Sequence, residues 1–258
     1  MSKLKNLLKP LYRIMLAFGF DPRVALNYKN FSLYRKHRKE WLRQGGKISK
    51  NFIILSDYSD KAGSSKGDYF HQDLLVANLI FENNPNRHVD VGSRVDGFVA
   101  HVASFRKIEV MDIRPMPMSE HRNIEYRQAD LINPQDIEPA DSLSCLHAIE
   151  HFGLGRYTDP IDVNGYKKGI NNLVKLVKKG GRFYISFPIG LDDEVHFNAH
   201  RVFHPKSILS IPAISDGMKL VRFDYVDDGG DLHLNASIDD VVGKIKLGCG
   251  IYTFEKVA

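Results

Sequence analysis

From about residue 68 the chain alternates between short apolar, β-branched runs and longer runs whose apolar residues fall three or four apart. No other feature restricts the fold as much. YFHQDLLVANLIFEN (69–83) carries apolar residues at 70, 74, 77 and 81, a helical spacing. RHVDV (87–91) reads as a first strand, and GFVAHVASF (97–105) as a helix after the Gly92 turn. IEVMDI (108–113), IEYRQAD (124–130) and DSLSCLHAI (141–149) read as the second, third and fourth strands. VNGYKKGINNLVKLVKK (163–179) predicts a helix stopped by Gly180-Gly181. RFYISFPIG, LVRFDYVDD and CGIYTFEKV complete a set of seven strands. Strands alternating with helices require crossover connections, so the expected class is α/β: a Rossmann-like, seven-stranded, mostly parallel sheet flanked by helices. Ligands of such sheets bind beyond the carboxyl ends of the strands, which makes the residues after each strand the ones to read.

After the first strand comes DVGSRVDGF, where Asp90, Gly92 and Gly97 form a small-residue turn that lets backbone approach a ligand. The second strand ends at Asp112, a carboxylate able to accept two hydrogen bonds from a ribose diol. The third ends in Gln128-Ala129-Asp130, which sets another acceptor where an adenine amino group would lie.

At these residues the sequence resembles the class I S-adenosylmethionine-dependent methyltransferases. The resemblance covers about residues 68 to 258 and rests on HVDVGSRVDGF, VMDIRP, RQADL, the post-strand IEH, and LVKKGGRFYISFP. More narrowly, YFHQDLLVA, HVDVGSRVDGFVAHVASF, HAIEHFGLGRYTDPID and FNAHRVFHP resemble a family catalogued as having unknown function. The resemblance implies S-adenosylmethionine as cofactor, held by Asp90, Gly92, Ser93, Arg94, Gly97, Phe98, Asp112, Ile113, Asp130 and Leu131. The turn departs from the superfamily's D-x-G-x-G-x-G: Arg94 and Asp96 stand at the later glycine positions, and Gly97 comes one residue late. Arg94 either clamps the cofactor's carboxylate or obstructs its pocket.

LHAIEHFGLGRYTDP (146–160) contains His147, Glu150 and His151 in H-x-x-E-H spacing, the signature of inverted zinc hydrolases. That reading needs one helix through both histidines, whereas His147 ends an apolar strand and Gly153 and Gly155 follow closely. The expectation is a loop at the reactive end of a cofactor. His147, His151 and His200 are the catalytic candidates, since a histidine near its free pKa can take a proton from an acceptor hydroxyl at neutral pH. Glu150, Arg156, Tyr157, Glu194, His196, Asn198 and Arg201 are the substrate-binding candidates. Arg156, between glycines with accessible N–H groups, would grip an anion or pair with Asp159 or Asp162. His196, His200 and His204 would align on a helix and could assist as a metal site, but Pro205 limits that helix, so no metal is assigned. Tyr69, His71, Gln72 and Asp73 read either as first-turn capping, with Asp68, or as a lid over the cofactor.

The resulting expectation is methyl transfer to oxygen of a small polar acceptor, the His, Asp, Asn and Arg residues after strands four and five suiting a sugar or nucleotide-sugar. A methyltransferase-like binder without catalysis, or a zinc hydrolase, are the rivals.

Charge separates the chain in two. Residues 1–50 hold 13 Lys or Arg against Asp21 and Glu40, leaving 23 basic against 29 acidic residues in the remainder. The expected organisation is therefore a basic helical arm, 1–50, and a methyltransferase-like domain, 51–258. The arm is either a solvated cap or an amphipathic segment contacting an anionic membrane or a partner. No nucleic-acid-reading module is visible. Pro10 and Arg13 interrupt any signal-peptide core, no apolar run reaches membrane-spanning length, and Cys145 and Cys249 sit in apolar runs as reduced core thiols would, so the expected location is cytoplasmic.

Overall fold

The computed structural model describes residues 15–16, 27–116, 120–133 and 136–257. It comprises two compact units, Met1–Ser64 and Ser65–Ala258. Most of the basic arm's first half, Pro10 and Arg13 included, lies outside the described residues.

In the first unit a 3₁₀ turn, Tyr28–Asn30, leads into α1, Phe31–Arg43, which has no fully buried residue and leaves its Lys and Arg side chains exposed. A following strap is tied to it by Asn30 Nδ2 to the Leu55 carbonyl at 2.9 Å and Arg38 Nε to Asn51 Oδ1 at 3.0 Å.

The second unit is built on an eight-stranded sheet in the order β3-β2-β1-β4-β5-β10-β8-β9. Its strands are β1 His88–Val91, β2 Ile108–Asp112, β3 Ile124–Gln128, β4 Ala140–Leu146, β5 Val177–Ile189, β8 Met218–Val226, β9 Leu232–His233 and β10 Gly248–Lys256. β1 to β5 are mutually parallel, while β10 runs antiparallel to both β5 and β8. The α/β, mostly parallel architecture is the expected one, with the two-residue β9 added at an edge where no periodicity could announce it. β1 is buried along its length and β4 everywhere but Asp141, and the buried polar side chains they carry, His88, Asp90, Ser142 and Ser144, hydrogen-bond one another.

The helices are α2 Asp68–Asn83, α3 Ala100–Ala103, α4 Gly165–Lys175, α5 Pro212–Gly217 and α6 Ile238–Val241. α2 packs Val76, Ala77 and Ile80 against Phe98, Val110, Leu146 and Ile251 on one face of the sheet, each large side chain contributing about 1.5–3 kcal/mol of burial. The opposite face buries Ile170, Leu173 and Val174 of α4 with Leu143, Ile185 and Phe254. Cys145 and Cys249 are buried free thiols. No helix among the described residues is long and apolar enough to cross a membrane.

Two local expectations are corrected, the glycine stop and the histidine spacing. Gly180-Gly181 does not stop α4: the helix ends at Lys175, its last turn closed by Leu176 N–H to Asn172 and Leu173 carbonyls, and β5 begins at Val177. Val177 is fully buried opposite Ala140, so pairing starts before the glycines, which form an irregularity inside the strand with Gly180 at φ +76°. The helix after Gly92 opens as a π-helical turn, Val95–Val99, before α3. The 194–202 segment is a hairpin, β6 Glu194–His196 with β7 His200–Val202, so His196 faces His200 across a strand pair rather than along a helix, and His204 is drawn off by its N–H to Asp193 at 2.7 Å.

Candidate functional site

The carboxyl ends of β1, β2, β3 and β4 lie along one edge of the sheet, and the chain order reverses around β1, whose neighbours are β2 and β4. A crevice forms there, as open α/β sheets require at a switch point. It is walled by Gly92, Asp112, Ile113, Asp130, Leu131, His147, His151 and Tyr157, among others. A few polar groups on apolar walls are the lining of a small-molecule site.

The turn after β1 is held from beneath. Asp90 is wholly buried and accepts hydrogen bonds from Ser93 Oγ and Ser144 Oγ, both at 2.6 Å, and from the Ser93 N–H at 3.2 Å. Burial raises its pKa to about 7 against the pull of those hydrogen bonds. Ser93 Oγ in turn accepts the Leu146 N–H, tying the turn to the end of β4. Gly92 sits at φ +73°, and a Cβ there would lie 2.8 Å from that of Ala148. A side chain is excluded on both counts.

Arg94 is not among the residues that wall the crevice: it pairs with Asp96 at 3.0 Å and lies 5.2 Å over the Tyr69 ring. Phe98 is buried in the core beside His88, and Gly97 packs against Asp73, whose Oδ2 lies 2.5 Å from where a Cβ would stand. Of the ten residues expected to hold a cofactor, Gly92, Asp112, Ile113, Asp130 and Leu131 line the crevice; Asp90 and Ser93 brace it from below.

At the end of β2, Arg114 closes on Asp112 with Nε 2.9 Å from Oδ1 and Nη2 2.5 Å from Oδ2. Its guanidinium lies 4.4 Å over the Tyr157 ring, a cation–π contact across the crevice. Asp130 accepts the Ile132 N–H and Asn133 Nδ2 at 3.0 and 2.6 Å. Arg114 was not an expected site residue; its position two after an acidic strand end was the available signal.

Beyond β4 the chain makes a single 3₁₀ turn, Ile149–His151, not the helix a zinc site on His147 and His151 would need. Among the described residues no group of three His, Cys, Asp or Glu is gathered to hold a metal. His147, at φ +48°, donates from Nδ1–H to Glu150 Oε1 at 2.9 Å, and its ring lies 5.0 Å from that of Tyr69. Its Nε2 and Glu150 Oε2 are buried with no hydrogen-bond partner among the described residues. Burial opposes charge on His147, but neighbouring Cys249 and Glu150 outweigh it and hold its pKa well above 6.5. Burial also raises the Cys249 pKa, against the pull of His147.

His151 stands differently. Its Nδ1–H donates to the Ala199 carbonyl at 2.8 Å, which fixes the tautomer and leaves Nε2 as the basic nitrogen. Burial, with Arg156 and against the pull of Glu150, lowers its pKa below 6.5. The loop that follows is built around Asp159, whose carboxylate accepts the N–H groups of Gly153, Gly155 and Tyr157 at 3.1, 3.2 and 3.1 Å. Those amides are therefore not open to an anion, and Asp159 is not the partner of Arg156. Arg156 instead donates from Nη1 to the Ala199 carbonyl at 2.5 Å.

The remaining candidates do not gather in the crevice. Arg201 is buried, donating to the Phe152 and Glu150 carbonyls at 2.7 and 3.3 Å with its guanidinium over Tyr166, so it braces the loop. Glu194, His196 and Asn198 are exposed on the hairpin, Glu194 paired with His196 at 2.7 Å. The His200 ring lies 5.1 Å from that of His196, tilted by 53°, with its Nε2 buried and unpartnered among the described residues. In α2 the N-cap position is Gly67 with no side-chain cap, and Asp73 is buried rather than capping. Gln72 Oε1 accepts Ser186 Oγ at 2.5 Å.

Comparison with solved structures places this fold among methyltransferase-like ones. It is similar to the N-methyltransferase NodS from Bradyrhizobium japonicum WM9 in complex with S-adenosyl-L-homocysteine, at 12% identity over 78% of this chain and 91% of that one, with a TM-score of 0.50. It is similar to a 1,6-didemethyltoxoflavin-N1-methyltransferase from Burkholderia thailandensis at 12% identity over 90% of each chain, TM-score 0.51. It is equally similar to the [4+2]-cyclase SpnF, at 12% identity over 76% of this chain and 86% of that one, TM-score 0.51. At such identity the likeness is one of fold. A family model described as "Caenorhabditis protein of unknown function, DUF268" matches residues 121–228. No curated protein matches the sequence significantly.

Proposed function

We propose that the chain is an S-adenosylmethionine-dependent methyltransferase acting on an oxygen of a small polar acceptor, a sugar or nucleotide-sugar. One observation carries the reading: Gly92, Asp112 and Asp130, each just past or at the end of one of three adjacent parallel strands, open on the same crevice as His151. The donor set fits an adenosyl group. Asp112 is a ribose-diol acceptor, Asp130 an amino-group acceptor, Leu131 and Ile113 are flat apolar walls, and Gly92 leaves backbone open to close approach. The cofactor, when bound, supplies an electrophilic methyl group.

The chain's own residues then have three tasks. Asp112 and Asp130 fix the adenosyl end. His151, neutral at pH 7, takes the acceptor's hydroxyl proton on Nε2 while the Ala199 carbonyl stabilises the imidazolium formed through Nδ1–H. Glu150, 3.7 Å from His151 Nε2, favours the same charge. His147 acts through Glu150 as a positioning residue.

The same fold serves a [4+2]-cyclase, so the fold by itself does not require methyl transfer, and the alternative is a methyltransferase-like binder of a nucleotide or partner without catalysis. We further propose a cytoplasmic location, and a basic arm, 1–50, that contacts an anionic membrane or a partner outside the 51–258 domain.

Calorimetry with S-adenosylmethionine and S-adenosylhomocysteine tests the reading. Both bind, and Asp112→Ala weakens them about 10- to 100-fold, the worth of one or two charge-assisted hydrogen bonds. No binding of either, in wild type and variant alike, rejects it. A methylated product from any hydroxylated acceptor removes the binder alternative.

A further inference from the structure

Arg156 is an exposed arginine with no carboxylate partner among the described residues, yet it is not free to wander. Its Nη1 is held on the Ala199 carbonyl at 2.5 Å and lies 3.4 Å from His151 Nδ1, and its guanidinium stands 5.5 Å from the Tyr157 ring centre. Asp159, the nearest acid along the loop, spends its carboxylate on three backbone amides. The other cation at this wall, Arg114, also lies over Tyr157 but is neutralised by Asp112. Arg156 is thus the one whose charge has no counterpart within this loop and turn.

A fixed guanidinium with unspent N–H groups is pre-organised for a two-oxygen anion, since its position is already restricted. It also sits against the nitrogen that orients the basic histidine. A lone cation there works against protonation of His151 and so costs basicity. That cost disappears when an anion covers the guanidinium. The geometry makes sense for a substrate that brings the anion with it.

We propose that Arg156 binds an anionic group, phosphate or carboxylate, on the methyl acceptor, and so holds the acceptor's hydroxyl beside His151. The substrate class is then an anionic hydroxylated molecule, and the assignment of that molecule as a methyl acceptor rests on the methyltransferase reading. The groups facing His151 are Glu150, His147 and Arg156, with the Ala199 carbonyl and the edge-on Tyr157 ring. Only Arg156 among them changes its effective charge when an anion binds.

The test is an NMR pH titration of the His151 imidazole in the whole chain, alone and with inorganic phosphate or acetate, for wild type, Arg156→Gln and Arg156→Lys. In wild type a saturating anion raises the His151 midpoint by roughly half a pH unit, the size of one nearby charge in partly solvated surroundings. Arg156→Gln starts higher and does not respond; Arg156→Lys, with a point charge and no fork, responds more weakly. A response to acetate but not phosphate supports the grip and assigns a carboxylate; the converse assigns a phosphate. Equal responses in wild type and Arg156→Gln, or none in any protein, overturn it. S-adenosylhomocysteine calorimetry on the same samples separates the two readings. Cofactor binding without an anion response sinks the grip alone, whereas an anion response without cofactor binding supports the grip and sinks methyl transfer.

Discussion

His88 and Asp90 are joined beneath the crevice by a single hydroxyl: Ser144 Oγ lies 3.2 Å from His88 Nε2 and donates to Asp90 Oδ1 at 2.6 Å. Ser142 Oγ completes the chain at His88 Nδ1, 2.8 Å away, so the imidazole is a neutral Nε2–H tautomer between two hydroxyls. Burial lowers the His88 pKa to about 3, with Arg106 adding to the effect, and raises that of Asp90 to about 7.

Depressed His88 contributes stability that is present above its unfolded pKa near 6.5 and lost as pH falls toward 3. Raised Asp90 contributes stability that is present below about 3.8 and lost as pH rises toward 7. Between pH 4 and 6.5 the two slopes cancel. Asp90→Asn leaves only the histidine's slope, so the stability of wild type relative to the variant falls by about 1.4 kcal/mol for each unit that pH rises across that window. Urea denaturation at pH 4, 5 and 6 measures it; a gap independent of pH means Asp90 is an ordinary ionised carboxylate.

His151→Gln removes the proposed base while keeping a polar side chain of similar reach. kcat for a hydroxylated acceptor falls about 10²- to 10⁴-fold, and S-adenosylhomocysteine affinity stays within a few-fold. In wild type the rate climbs with pH through a midpoint below 6.5 and is level from pH 7 to 8. A variant as active as wild type moves the base elsewhere.

Gly92→Ala combines a left-handed backbone with a Cβ 2.8 Å from that of Ala148. It destabilises the domain by about 1–3 kcal/mol and weakens cofactor binding by tightening the turn that approaches it. Thermal unfolding and calorimetry read the two effects separately.

Asp159→Ala strips three amides of their acceptor at once. Hydrogen exchange at Gly153, Gly155 and Tyr157 should quicken about 10- to 100-fold, the equivalent of roughly 1–3 kcal/mol of lost hydrogen bonding. Exchange at Val89 and Leu143, in the central strands, should not change.

Much of this was legible beforehand because it is local. α2 and the strands β1, β2, β3 and β8 follow from spacings of two, three and four residues, and the strand-end positions of Gly92, Asp112 and Asp130 from their order along the chain. Gly180-Gly181 misled because a glycine pair punctuates a helix and a strand irregularity in the same way; burial of Val177 opposite Ala140 chose between them. The 194–202 hairpin was hidden by histidines spaced four apart, a helical period realised as a strand pair.

Periodicity and the residues after each strand, by themselves, determined an α/β sheet with a ligand crevice at one edge. Which side chains face that crevice was decided only in three dimensions. Arg94 was spent on Asp96, Arg201 on two carbonyls, and His151 was oriented by Ala199, 48 residues away. The reason is range. Backbone patterns are set by neighbours a few residues apart, whereas a polar side chain's role depends on which distant donors and acceptors the fold brings to it, and a buried one must find them.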